Sequence, residues 1–121
     1  MATTEFYSTA DIDGVMIVTF RASSILDAVT IDRMSTNLKE LIAAAPTERF
    51  IFDFDRVTYL SSNALGMLIG LNKRVVQRKG EIKLAGINND VMEVFKITKL
   101  DTVFDIYKDP VSAIEAYRKN L

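Results

Sequence analysis

Cysteine, histidine and tryptophan are all missing from this chain of 121 residues. Without cysteine there is no disulfide framework, no thiolate nucleophile and no zinc knuckle. Without histidine there is no Ser-His-Asp triad, no imidazole metal ligand and no side chain whose unperturbed pKa lies near neutrality. A catalytic function is therefore not expected, and the sequence gives no reason to expect a metal or a cofactor. Net charge is almost absent too: 15 basic residues against 16 acidic ones leave −1. That balance gives no electrostatic footprint for nucleic acid. The one basic cluster, Lys73-Arg74 to Arg78-Lys79, has helical spacing and reads as a solvated helix face. The N-terminus lacks the basic and apolar regions of a secretory signal. The longest apolar run, residues 64–71 with glycine counted, falls far short of the ~20 residues of a membrane span. The expectation is a soluble, cytoplasmic protein. Its two prolines, Pro46 and Pro110, are isolated, and no linker, repeat or low-complexity stretch divides the chain. One domain over residues 1–121 follows, long enough to bury a sizeable core.

What is present is a strong alternation of strand and helix signals. Residues 6–10 suit a short edge strand, Asp13-Gly14 a turn, and Val15–Phe20 a β-branched central strand, so these two strands pair as a hairpin. Residues 21–25 are small and polar and read as a loop. Ile31, Met34, Leu38, Leu41 and Ile42 then fall on one helical stripe, which Pro46 ends. The run 50–54 suits a buried strand, residues 62–79 a long helix closed by Gly80, and residues 81–86 a third core strand. Asn88, Asn89 and Asp90 are cap candidates for a short helix carrying Val91, Val94 and Phe95. A last strand over 102–107 precedes Asp109-Pro110, a cap and an N1 proline for a terminal helix to Arg118. The order β-β-α-β-α-β-α-β-α predicts an α/β fold: a mostly parallel sheet of about five strands with an initial hairpin, packed by about four helices.

Function has to come from a site, and the sequence offers one. Residues 57–66 link a buried strand to the long helix, at the carboxyl end of a strand where open α/β sheets meet ligands and partners. Ser61, Ser62 and Asn63 stand together there. One of them is needed to cap the helix; a single cap does not require three polar side chains. A phosphate on Ser62 would be stabilised by the free N–H groups and the macrodipole, yet would place about −1.5 to −2 charges on a nearly neutral surface. On the helix, Ala64, Leu65, Leu68, Ile69, Leu71, Val75 and Val76 form a broad apolar arc, while Gly66, Met67 and Gly70 fall on the polar side. Two glycines cost a helix about 1 kcal/mol each relative to alanine, so they suit a flat patch approached by another protein. An exposed, adaptable Met67 fits the same idea.

At these residues the chain resembles a STAS domain, the fold of the bacterial anti-sigma factor antagonists. The family's strand leads into Asp-Ser-Ser/Thr-Gly-Leu; the matching stretch here is Tyr59-Leu60-Ser61-Ser62-Asn63-Ala64-Leu65-Gly66. Ile25-Leu26-Asp27-Ala28 resembles the family's Leu-Asp-Ala, and residues 94–101 resemble its Phe-x-x-Thr-x-Leu-Asp. The resemblance spans roughly residues 13 to 118. It implies a phosphorylation-controlled partner switch. The unphosphorylated antagonist binds an anti-sigma factor that is also a serine kinase, is released on phosphorylation, and is reset by a serine phosphatase. Ser62 falls on the phosphoacceptor position. Asp27, Ser61, Asn63, Gly66, Met67 and Gly70 then belong to the partner-binding surface. The chain departs from the pattern in carrying Ser61 for the leading Asp, Asn63 for the second Ser/Thr and Ala64 for the Gly.

Two other readings stand beside this one. A STAS subunit could assemble, or bind a ligand, without phosphorylation; the missing acidic residue at position 61 favours that. A phospho-aspartate receiver is the other, because Asp53 and Asp55 end a core strand. It needs a further acidic pair around a divalent cation, and Asp11 and Asp13 lie on the wrong side of the strand Val15–Phe20. Asp53 is more simply a sheet-edge or loop-bonding residue.

Overall fold

The computed structural model describes residues 2–25 and 27–119, with side chains from residue 4 onward; Leu26 of the Ile25-Leu26-Asp27-Ala28 motif lies outside them. Strand β1 (Ala2–Thr3) precedes β2 (Tyr7–Ile12) and β3 (Val15–Phe20), which pair antiparallel from Tyr7↔Phe20 to Ile12↔Val15. The two residues between them, Asp13 and Gly14, both take positive φ (53° and 77°). That geometry matches the right-handed twist of the flanking strands, and an Asp-Gly pair tolerates it. Next come β4 (Ser24–Ile25), α1 (Ala28–Ala44), β5 (Arg49–Asp53), β6 (Tyr59–Leu60) and α2 (Ser62–Gln77). The chain finishes with β7 (Glu81–Ala85), α3 (Asn89–Ile97), a 3-10 turn (Leu100–Thr102), β8 (Ile106–Tyr107) and α4 (Pro110–Arg118). The main sheet runs β1-β2-β3-β5-β7-β8, parallel from β3 onward, with helical crossovers. The expected α/β architecture is therefore present among the described residues: a five-strand mixed sheet, extended by the two-residue β1, and four α-helices.

Side chains alternate across the central strands. Phe50, Phe52, Ile82 and Leu84 join Val18 and Phe20 in the larger core cluster with α1, α2 and α3. Phe20 packs edge-on against Phe52 at 5.6 Å and tilted against Phe54 at 5.0 Å. Val15, Ile17, Ile51 and Ala85 face the other way, where α4 covers them with Ala113, Ile114 and Tyr117. Polar groups hold that side closed. The Tyr117 hydroxyl donates between the carbonyls of Phe50 and Glu81 (2.8 and 2.9 Å). Lys83, buried beneath it, donates to Glu81 (2.8 Å) and Asp105 (3.3 Å), and its ammonium stands 4.7 Å from the Tyr117 ring centroid. Burial pulls the Lys83 amine down, but these carboxylates outweigh it and leave its pKa raised. Burial raises the pKa of the Tyr117 phenol.

The structure corrects several sequence expectations. The second strand of the hairpin pair is joined by β2 at residues 7–12 rather than 6–10. The loop after β3 contains β4, and the last strand shrinks to two residues because the 3-10 turn Leu100–Thr102 continues in the bonds of Val103 and Phe104 N–H to the Leu100 carbonyl. At the end of α2 the left-handed residue is Lys79 (φ 62°), not Gly80. Lys79 N–H reaches the Val76 carbonyl (2.9 Å) and Gly80 N–H the Val75 carbonyl (2.8 Å), the paired bonds of a Schellman ending. Glycine is required at 80 for space instead: a Cβ there would lie 2.4 Å from the Glu48 carbonyl oxygen.

Candidate functional site

Each of the two longest helices is entered from a two-residue strand, and those strands pair with one another. β4 and β6 run parallel in the register Ser24↔Tyr59 and Ile25↔Leu60, and Ser61 N–H donates to the Ile25 carbonyl (3.0 Å). The Ser23 carbonyl accepts from Thr58 N–H (2.7 Å), Thr58 Oγ1 (2.9 Å) and Tyr59 N–H (3.3 Å). These backbone bonds set the starts of α1 and α2 side by side. The start of α3 is tied in through Asn88, which donates to the Val57 carbonyl (3.3 Å). Helix starts gathered this way bring free N–H groups and positive dipole ends to one edge, an environment that favours negative charge.

The caps are divided among specific residues. Ser61 is the N-cap of α2, its Oγ accepting from Ala64 N–H at 3.3 Å. That leaves Ser62 as the first helical residue, exposed, with Asn63 exposed beside it. Asp27 caps α1, accepting from Thr30 N–H (3.0 Å) and Thr30 Oγ1 (2.8 Å). Those hydrogen bonds hold its carboxyl below the usual aspartate range. Asp27, expected only on the partner surface, is also the cap of this helix, a role the spacing to Thr30 could have suggested.

Gly66 and Gly70 face open space, for a Cβ added at either would meet nothing within 4 Å. Met67 does not join them on the surface as expected. It is only 8% exposed, while Val76, expected in the core, is 56% exposed. A helical wheel drawn for one buried face misses α1, which packs along the flank of α2 and turns its buried arc toward Met67. Met67 consequently forms part of an open depression of about 530 Å³ with Asn63, Ala28, Val29, Asp32 and Ser35. At this site two exposed apolar side chains lie outside the sequence expectations, Val29 (67%) and Tyr59 (58%). Val29 could have been noticed as an apolar residue lying off the helical stripe of Ile31, Met34 and Leu38.

Elsewhere, Asp53 Oδ1 accepts from Asp55 N–H at 3.1 Å, the loop-bonding role expected of it. Burial raises its pKa, with the neighbouring Asp55 charge adding to that. Among the described residues no group of three histidines, cysteines, aspartates or glutamates is placed to hold a metal ion. Nor is any described helix long and apolar enough to cross a membrane.

The STAS domain family model matches residues 7–113. The anti-sigma F factor antagonist of Paenibacillus polymyxa is 28% identical over 101 residues, covering 84% of this chain and 85% of its own. A Thermotoga maritima protein of known crystal structure superposes with a TM-score of 0.82 at 20% identity, covering 93% and 94% of the two chains. The Bacillus cell fate determinant SpoIIAA in its phosphorylated form gives 0.70 at 14% identity, covering 92% and 98%. The two structural likenesses establish the fold.

Proposed function

The chain belongs to the STAS domain family, and from that premise we propose that it is an anti-sigma factor antagonist switched by phosphorylation of Ser62. Unphosphorylated, it binds an anti-sigma factor that is also a serine kinase, freeing a sigma factor for transcription in the cytoplasm. The kinase transfers the γ-phosphoryl group of ATP to Ser62 Oγ: the new O–P bond forms, the bond to the β-phosphate oxygen breaks, ADP leaves and the hydroxyl proton is lost. The phosphoserine then expels the partner until a serine phosphatase hydrolyses it. Asp27, Ser61, Asn63, Gly66, Met67 and Gly70 belong to the surface the partner reads, with Met67 contributing from the floor between the helices.

One observation carries this reading: Ser61 bears the capping duty, so the hydroxyl of Ser62 is exposed and unencumbered at a helix start. A phosphate there gains from the helix dipole and disturbs no bond that the fold uses. It adds about two negative charges to the contact surface, beside the Asp27 cap. Serine at 61 preserves the cap while leaving this position free of a second carboxylate.

Intact-mass measurement of protein from its native cells, with and without phosphatase treatment, gives the first check. Binding to the captured kinase gives the second: Ser62→Ala should hold the partner and Ser62→Asp should lose it. If both variants bind alike and no phosphorylated species is found, the chain works as a STAS scaffold or ligand-binding subunit without phosphorylation.

A further inference from the structure

The depression beside Ser62 is one end of a longer feature. Residues 28, 32 and 35 of α1 line the first depression with 63 and 67 of α2, and 39 and 43 line a second with 74 and 77, at spacings that put each set on one helical flank. The second depression, of about 180 Å³, lies toward the far end of this α1–α2 seam, lined by Lys39, Ile42, Ala43, Arg74, Gln77 and Arg78. Midway, Gly70 presents backbone without a side chain, and a Cβ there would still point into open space. Small residues along a channel let another backbone approach closely. From Ala28 to Ala43 the seam is about 22 Å long at the ~1.5 Å rise of a helix, the length of a four-turn helix.

Charge is distributed unevenly along it. The Ser62 end contributes Asp32, while its neighbour Arg33 is paired with Glu5 (2.5 Å). At the far end Arg78 is committed to Glu48 (2.7 Å) and to the Ile42 carbonyl. Lys39 and Arg74 take part in none of the ion pairs among the described residues. Two uncommitted cations therefore flank a shallow channel whose floor is apolar (Ile31, Ile42, Met67). A free small anion is poorly suited to this end, because both helices finish there and their dipoles present partial negative charge. Carboxylates carried on a helix already seated in the channel suit it better, since the apolar floor supplies the contact and the cations set the register.

We propose that the α1–α2 seam is the docking track for a partner helix of about four turns whose carboxylates sit against Lys39 and Arg74. The track begins at Ser62, so this rests on the reading that Ser62 controls partner binding and specifies how the partner is held. The binding energy lies along the channel; the phosphate acts at its mouth.

A photocrosslinking amino acid placed singly at Val29, Lys39 and Arg74, and at Val111 on α4 as a control, tests this in the native cells. Adducts at 39 and 74 should map to one helical partner segment bearing at least two Asp or Glu residues. With that partner purified, Lys39→Glu/Arg74→Glu should bind roughly tenfold more weakly, chiefly through slower association that high salt levels out. Lysines substituted for the mapped carboxylates should restore binding, and Ser62→Ala should bind as the unaltered chain does. Adducts at Val29 alone, or a change under twofold on charge reversal, would overturn the track while leaving the Ser62 switch in place. Adducts at 39 and 74 that map to a second copy of this chain, or that nuclease removes, would also overturn it. Partner binding indifferent to Ser62→Asp would remove the switch instead.

Discussion

Polar groups meet apolar cores in opposite ways on the two faces of the sheet. Beneath α4 the central polar side chains are committed: the Tyr117 hydroxyl lies between two carbonyls, and Lys83 is gripped by two carboxylates and two aromatic rings. Along the α1–α2 seam the polar side chains at the surface are mostly uncommitted, and the fold depends on the residues just behind them. Ser61 is bonded, Ser62 is exposed; Met67 is buried, Gly66 and Gly70 lie open; Arg78 is paired, Arg74 is not. The difference teaches that availability is a property of position within a face. Side chains left free along the seam stand next to the ones the fold uses.

Five substitutions would break or sharpen this contrast. The largest effect is expected at Tyr117→Ala, which empties the core under α4 and should cost about 3–5 kcal/mol in urea unfolding. Partner binding by the fraction still folded should be unchanged, and a loss as large as that of Ser62→Asp would break the separation of the faces. Next, Ser61→Ala should cost about 1 kcal/mol through the lost cap, whereas Ser62→Ala should stay within about 0.5 kcal/mol. Equal costs at the two serines would mean that they share the cap. Gly70→Ala should raise stability by somewhat under 1 kcal/mol, since the helix gains propensity and the added Cβ meets no neighbour. The same methyl narrows the seam, so calorimetry should show weaker partner binding in a more stable protein.

The smallest effect concerns Asp53, whose burial raises its folded-state pKa. A carboxyl with a raised folded pKa favours the folded state while protonated, and that advantage is lost as pH rises through the folded value. Asp53→Asn removes the buried negative charge, so its thermal midpoint at pH 7 should exceed that of the unaltered chain. The gain should fade below about pH 4, where aspartate is protonated in either state. A gain independent of pH would assign the effect to hydrogen bonding.

Much of this was legible in the sequence, for reasons that differ by element. Phe50-Ile51-Phe52 declares a strand buried on both faces, and Asn88 and Asp109 declare caps, because local chemistry decides both. The pairing of β4 with β6 was illegible, since two-residue strands have no periodicity to read. Met67 and Val76 exchanged roles because a single helix carries no record of its neighbour. Of the candidate site, the cluster of Ser61, Ser62 and Asn63 stood out by composition. The division of labour within it, and the seam leading away to Lys39 and Arg74, appear only once α1 is in place.

The short ladder between β4 and β6 has a further consequence. Because peptide groups make it, the relative placement of the two helix starts is a fixed dimension of the backbone, like the spacing of holes in a template. Side chains at 62 and 63 can be exchanged without moving the positions from which they project. The chain can therefore change which partner it recognises, or lose its acceptor hydroxyl altogether, and still present the replacement at the same coordinates.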